Sequence, residues 1–258
     1  MIGIFDSGSG GLTVLRAIRE VLPSCDVLYF GDIQNAPYGS KSSEELSLLT
    51  TKALIFLKER GAQRIVSACN SVSASLALSL FDVFDLDSTQ VIEMIGPTVA
   101  YFKGFSGRVL LCATPATVRS NSYQNAFRMI GKDITTISIS ELAGAIEFGQ
   151  SESDIEEIIT NAFENVVWQE GDVLVLACTH YPLVLSLFRK IIPPFVLIFD
   201  PAEAVAERVK KQFWPQEVRD GTTHFVISKD SEQFRTLVSK IFSDINYEIE
   251  VLALPLVH

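Results

Sequence analysis

The sequence has no long lysine or arginine run, no apolar stretch near the length of a membrane span, no C-x-x-C pair and no Gly-Lys-Ser/Thr phosphate loop. The formal net charge of −10 argues against nucleic acid or an anionic membrane as main partner, since both need clustered cations. No apolar run approaches the roughly 18 residues of a spanning helix. Residues 1–6, Met-Ile-Gly-Ile-Phe-Asp, lack a basic leader region and reach an aspartate at once. They read as a strand and not as a secretory signal, so the expected compartment is the cytoplasm. There the four cysteines, Cys25, Cys69, Cys112 and Cys178, are expected to be free thiols. The missing C-x-x-C spacing excludes a zinc ribbon or a thioredoxin-like motif.

What is present fits a globular protein: 258 residues, 48% hydrophobic and 20% charged, enough chain to bury a sizeable core. Short apolar runs at 2–5, 27–30, 64–68, 90–95, 108–112, 134–138, 172–177, 195–199 and 223–227 read as strands. Most are continuously apolar, as in strands buried on both faces. Helical patterns lie between them, at 12–22 ending before Pro23, at 44–60 ending at Gly61, and at 153–168. This alternation predicts an α/β fold with mainly parallel, helix-covered sheets. The two halves also echo each other. IGIFDS, YFGD, RIVSACNS and VIEMIGPT in the first correspond to VLLCATPAT, ITTISIS, DVLVLACTH and VLIFDPAE in the second. Two copies of one α/β unit are therefore expected, related by a pseudo-twofold axis with a cleft between them.

Ligands of open α/β sheets bind beyond the carboxyl ends of the strands. There the chain places Asp6-Ser7-Gly8-Ser9-Gly10-Gly11, Asp32, Tyr38-Gly39-Ser40, Cys69-Asn70-Ser71, Thr114 with Thr117, and Cys178-Thr179-His180. The glycine run reads either as a tight strand–helix turn or as backbone N–H groups aimed at a carboxylate or phosphate. Small polar side chains at the strand ends suit a small ligand with two charged ends. Cys25 and Cys112 read as small core hydrophobes. Cys69 and Cys178 differ: each follows the third strand of its half and precedes a polar tripeptide and a helix, whose dipole favours thiolate. Two equivalent thiols across a cleft can invert a stereocentre, one removing a proton and the other delivering one to the opposite face. His180 is placed to tune Cys178 or to serve as a structural hydrogen-bonding group. His224 and His258 read as structural or surface residues.

Several runs resemble glutamate racemases of the aspartate/glutamate racemase superfamily, in the family's order and over nearly the whole chain. They are DSGSGGLTVL from Asp6, YFGD from Tyr29, PYGSKS from Pro37, ACNS from Ala68, ATVRS from Ala116, ACTHYPL from Ala177 and DPAEAVA from Asp200. The resemblance implies a cofactor-independent enzyme interconverting L- and D-glutamate, with no metal, that supplies D-glutamate for peptidoglycan. It implies Cys69 and Cys178 as the catalytic thiols, assisted by Asp6 and His180 respectively. Substrate contacts carried over are Asp6, Ser7, Tyr38, Gly39, Asn70, Ser71, Thr179 and His180, with Asp32, Ser40, Thr114, Thr117 and Glu147 as further candidates. It also implies a homodimer of two-domain chains, residues 1–92 with 205–258 forming one domain and 93–204 the other. Some members bind DNA gyrase; no motif in this chain carries that property.

The chain departs from the family pattern in three places. It has Ser71-Val72 where Thr-Ala is usual, Ile139 to Glu147 in place of a C-P-L-F-V-P-L-V-E segment, and Ser228-Lys229-Asp230 in place of a Ser/Thr-Gly-Asp turn. Other two-cysteine members of the superfamily, such as aspartate racemase, are the nearest alternative. A non-catalytic binder has no use for both thiols, and a Cys178–His180 hydrolase leaves Cys69 unexplained.

Overall fold

The computed structural model describes residues 1–75, 87–213 and 220–252; His258 lies outside them. Among the described residues ten strands form two parallel sheets. The six-stranded sheet runs β10-β9-β2-β1-β3-β4 and the four-stranded sheet β6-β5-β7-β8. The first comprises β1 (Ile2–Asp6), β2 (Val27–Gly31), β3 (Arg64–Ser67), β4 (Val91–Ile92), β9 (Thr223–Ile227) and β10 (Tyr247–Val251). The second comprises β5 (Val109–Ala113), β6 (Ile134–Ser138), β7 (Val173–Ala177) and β8 (Leu197–Phe199). Every pairing is parallel.

The strand order β2-β1-β3-β4 is repeated in β6-β5-β7-β8. Each run of the second half thus sits where its counterpart sits in the first, which is the repeat expected from the sequence. β9 and β10 extend the first sheet beyond β2. All five residues of β1, β2, β5 and β7 are buried, as continuously apolar runs require.

The helices follow their local signals. α1 (Leu12–Val21) buries Leu12, Val14, Leu15 and Ile18. α2 (Ser43–Glu59) opens on a reciprocal Ser42–Glu45 capping box. The first sheet carries a core of Ile2, Ile4, Leu15, Tyr29, Phe225 and Phe234 on one face, with α1 against it. Leu54, Leu57, Phe5 and Phe30 form the other face, with α2. Short helices start just past the strand ends: α3 (Asn70–Ser75) after β3, α4 (Ile95–Tyr101) after β4 and α5 (Pro115–Arg119) after β5; α6 (Ser122–Met129) follows α5, and α7 (Leu142–Glu147) follows β6. α8 (Glu152–Phe163), α9 (Leu185–Ile191), α10 (Pro201–Gln212) and α11 (Glu232–Ile241) complete the described helices.

Three expectations are corrected and one strand is added. The 90–95 strand is only Val91–Ile92, because the Glu93 carboxylate accepts from the N–H groups of Ile95 and Gly96 and starts α4 there. The 153–168 helix ends at Phe163; the chain turns through Val166 N–H to Phe163 C=O, and Trp168 folds back on Phe163 with ring centroids 5.6 Å apart. The 195–199 strand begins at Leu197, since Val196 N–H is spent on a turn to Pro193 C=O. β10 was not anticipated; its Tyr-Glu-Ile-Glu-Val alternation marks an edge strand that is only partly covered.

Candidate active site

The carboxyl ends of β1, β3, β5 and β7 converge. Ser7, Pro37, Tyr38, Gly39, Cys69, Asn70, Ser71, Thr114, Ala143, Cys178, Thr179 and His180 line one cavity, a water-sized space of about 10 Å³. Cys69 follows β3 and Cys178 follows β7, so the thiols occupy equivalent places in the two sheets. All four cysteines are free and buried. No Lys or Arg is among the lining residues, so charged ligand groups there would meet hydroxyls, the Asn70 amide, the two thiols and the His180 ring.

Asp6 sits below the lining, fully buried. Its carboxylate accepts from Gly8 N–H at 2.9 Å and from the Thr179 hydroxyl at 3.1 Å, tying the first sheet to the second. Glu147, at the end of α7, makes the second tie. It accepts from Ser9 N–H at 2.9 Å, from the Ser9 hydroxyl at 2.7 Å and from His180 Nε2 at 2.5 Å. With Nε2 committed to Glu147, the Nδ1 face of His180 turns to Cys178 Sγ, 4.0 Å away. A third tie joins the Ser71, Thr114 and Thr117 hydroxyls, with Ser71 and Thr114 2.9 Å apart and Thr114 and Thr117 3.1 Å apart.

The glycine run therefore has a specific use. A Cβ on Gly8 would stand 2.6 Å from a Glu147 carboxylate oxygen, and one on Gly10 2.5 Å from the Thr179 hydroxyl. The N–H groups of the turn face the protein's own carboxylates, Asp6 and Glu147, and no phosphate is needed to account for them.

Burial and buried charge set the electrostatics around Cys69 and His180. Burial pushes Cys69 up to about 12, with the Asp6 charge adding to it, so this thiol is held protonated. Its sulfur lies 3.7 Å from the Ser7 hydroxyl. Burial disfavours a charged His180, but its hydrogen bonds to Cys178 and Glu147 outweigh this and hold it well above the ordinary histidine value. Burial likewise opposes ionisation of Glu147, and the His180 and Ser9 contacts reverse that and bring it below the usual range. Asp6 is raised, chiefly by burial. Imidazolium and carboxylate thus form a buried pair behind Cys178.

The remaining candidates divide. Asp32 does not line the cavity; it accepts from the Tyr38 hydroxyl at 2.5 Å, from Asn35 and from Ser228. Ser40 is exposed and outside the lining. Thr117 and Glu147 lie behind it. His224 is partly exposed, 3.2 Å from Glu250. Sequence reasoning missed Ser9 as the Glu147 partner and Tyr123, whose hydroxyl donates to Asn70 Oδ1 at 2.6 Å. Ser9 lay inside the quoted glycine run, whereas no local signal marks Tyr123. Among the described residues no group of three or more His, Cys, Asp or Glu side chains is placed to hold a metal ion, and no helix is long and apolar enough to cross a membrane.

A family model described as Asp/Glu/Hydantoin racemase matches residues 11–209, and the chain belongs to that family. It is an amino-acid racemase, an isomerase. Within the family it resembles glutamate racemases. That of Thermoanaerobacter sp. (strain X514) is 35% identical over 240 residues, which cover 90% of this chain and 89% of the relative. The solved glutamate racemase isoform RacE1 of Bacillus anthracis superposes with a TM-score of 0.84 at 26% identity, covering 98% of each chain. The Francisella tularensis enzyme, solved in complex with D-glutamate, gives 0.83 at 26% identity, over 98% of this chain and 97% of its own.

Proposed function

We propose that this racemase interconverts L- and D-glutamate by two-thiol proton transfer, without a cofactor. One observation carries the reading: Cys69 and Cys178, at topologically equivalent strand ends, line a single cavity. In the L-to-D direction the Cys178 thiolate removes the α-proton. The C–H electron pair is left on the α-carbon, in conjugation with the carboxylate, as the new S–H bond forms. The Cys69 thiol then delivers its proton to the opposite face and becomes the thiolate. The reverse direction exchanges the roles. The high Cys69 value suits a proton donor, and the His180–Glu147 pair places positive charge beside the Cys178 sulfur. Ser7, Tyr38, Gly39, Asn70, Ser71, Thr114 and Thr179 hold the substrate's charged ends; Asp6, Asp32 and Thr117 support them from behind. A space of one water admits an amino acid only when the two halves part, which fits domains of 1–92 with 205–258 and of 93–204. A cytoplasmic homodimer supplying D-glutamate for peptidoglycan is the setting that the family resemblance favours.

The test is deuterium wash-in from D₂O into each enantiomer of glutamate. Wild type should exchange and racemise both. Cys69→Ala and Cys178→Ala should each lose racemisation, while Cys69→Ala keeps exchange into L-glutamate and Cys178→Ala into D-glutamate. Near wild-type racemisation by both variants would reduce the cysteines to core packing.

A further inference from the structure

Asn70 follows Cys69 directly and lines the cavity, yet is only 2% exposed. Its Oδ1 accepts a hydrogen bond from the Tyr123 hydroxyl, whereas its Nδ2 has no partner. A buried amide donor left unmatched is costly, and such a group at a cavity wall points to a ligand acceptor. Tyr123 comes from the other half of the molecule. It lies in the first turn of α6 and is fully buried among Val109, Leu111, Phe127 and Val175 of the second sheet's core. Its ring is fixed by that packing, so its hydroxyl is a fixed point against which the Asn70 amide is set.

The separation says which way round the amide lies. At 2.6 Å it falls in the range of O–H···O contacts and is short for N–H···O. Burial holds the phenol in its protonated, donating form. We infer that Tyr123 is a positioning residue for the racemase site: its hydroxyl fixes the Asn70 amide so that Nδ2 is presented to a carboxylate of the amino-acid substrate. The inference rests on the proposed function and adds a residue that does not line the cavity. Because Tyr123 and Asn70 belong to different halves, the amide is correctly set only when the halves are together.

Tyr123→Phe removes the donor and keeps the ring. KM for glutamate should rise about threefold to tenfold, the scale of one neutral hydrogen bond, with kcat changed by less than about twofold. In an Asn70→Ala background the same substitution should leave KM where Asn70→Ala alone puts it. A second readout needs no substrate: the ¹⁵N-resolved side-chain NH₂ signals of Asn70 should shift and broaden in Tyr123→Phe. Unchanged amide signals overturn the positioning role. So does an unchanged KM accompanied only by a lower melting temperature, the mark of a packing residue. If the wild-type protein leaves both glutamate enantiomers untouched, the functional reading fails on its own, and the amide signals then decide the role of Tyr123.

Discussion

His180 and Glu147 are charged partners 2.5 Å apart, with side chains 3% and 1% exposed, and this has a pH consequence. The histidine is raised above its ordinary 6.5. Its contribution to stability is full below pH 6.5 and is lost as pH rises through the folded value. The glutamate is lowered from 4.5. Its contribution is full above pH 4.5 and is lost as pH falls through the folded value. The pair is therefore worth most between 4.5 and 6.5. Glu147→Gln leaves a buried imidazole without its counter-charge, a change of about 3–5 kcal/mol for pairs of this kind. Melting temperatures of wild type and variant, taken across pH, should differ most in that window, with the difference narrowing as pH falls below 4.5 or rises through the folded histidine value. A constant difference across the range would show that Glu147 holds Ser9 and His180 by shape and not by charge.

At the scale of elements, the turn between β1 and α1 is where the two halves approach most tightly around buried carboxylates. It passes under the second half so closely that Gly8 and Gly10 have no room for a side chain. Glu147 cannot yield to a new methyl group, being buried and held by three hydrogen bonds. Gly8→Ala should therefore cost about 1–3 kcal/mol of stability, as overpacking does, and lower kcat at least tenfold by displacing His180. Circular-dichroism melts and initial rates on the same preparation would check both. A fully active variant would mean that the two halves rest further apart in solution.

The glycines themselves were legible, and so were most of the strands and both cysteines, because continuous apolar runs followed by small polar residues identify strand ends. What the glycines face was not, since Glu147 is 139 residues from Gly8 in sequence and sits in the segment that departs from the family pattern. The failures at Glu93 and Trp168 have the same character. A side chain capping its own backbone, or a ring folding back, ends an element before its apolar pattern does. Tyr123 was invisible for the opposite reason: its neighbours in sequence are ordinary helix residues, and its role comes from the distant residue that its hydroxyl meets.

For the molecule as a whole, the C-terminal return joins the fold to the site. β9 lies between β2 and β10, with Phe225, Val226 and Ile227 fully buried, so the first sheet is completed by residues about 200 positions from its start. Buried Arg19 fastens that return by donating to Thr222 C=O and to the Thr223 hydroxyl. At the other end of β9, the Ser228 hydroxyl accepts from Gln34 N–H at 2.9 Å and donates to Asp32 at 2.7 Å. The same Asp32 carboxylate accepts from the hydroxyl of Tyr38, which lines the cavity. The hydrogen-bonded series thus runs Ser228 to Asp32 to Tyr38, from the end of β9 to the cavity wall. Ser228→Ala removes two hydrogen bonds, about 1–3 kcal/mol in all, and leaves Asp32 with fewer donors to fix it. Tyr38 should lose part of its seat, so KM for glutamate should rise several-fold, within about one order of magnitude, and by more than kcat falls. Ser228→Thr, which keeps the hydroxyl, should restore KM. If Ser228→Ala lowers the melting temperature but leaves KM and kcat at wild-type values, the return strand closes the sheet and does nothing for Tyr38.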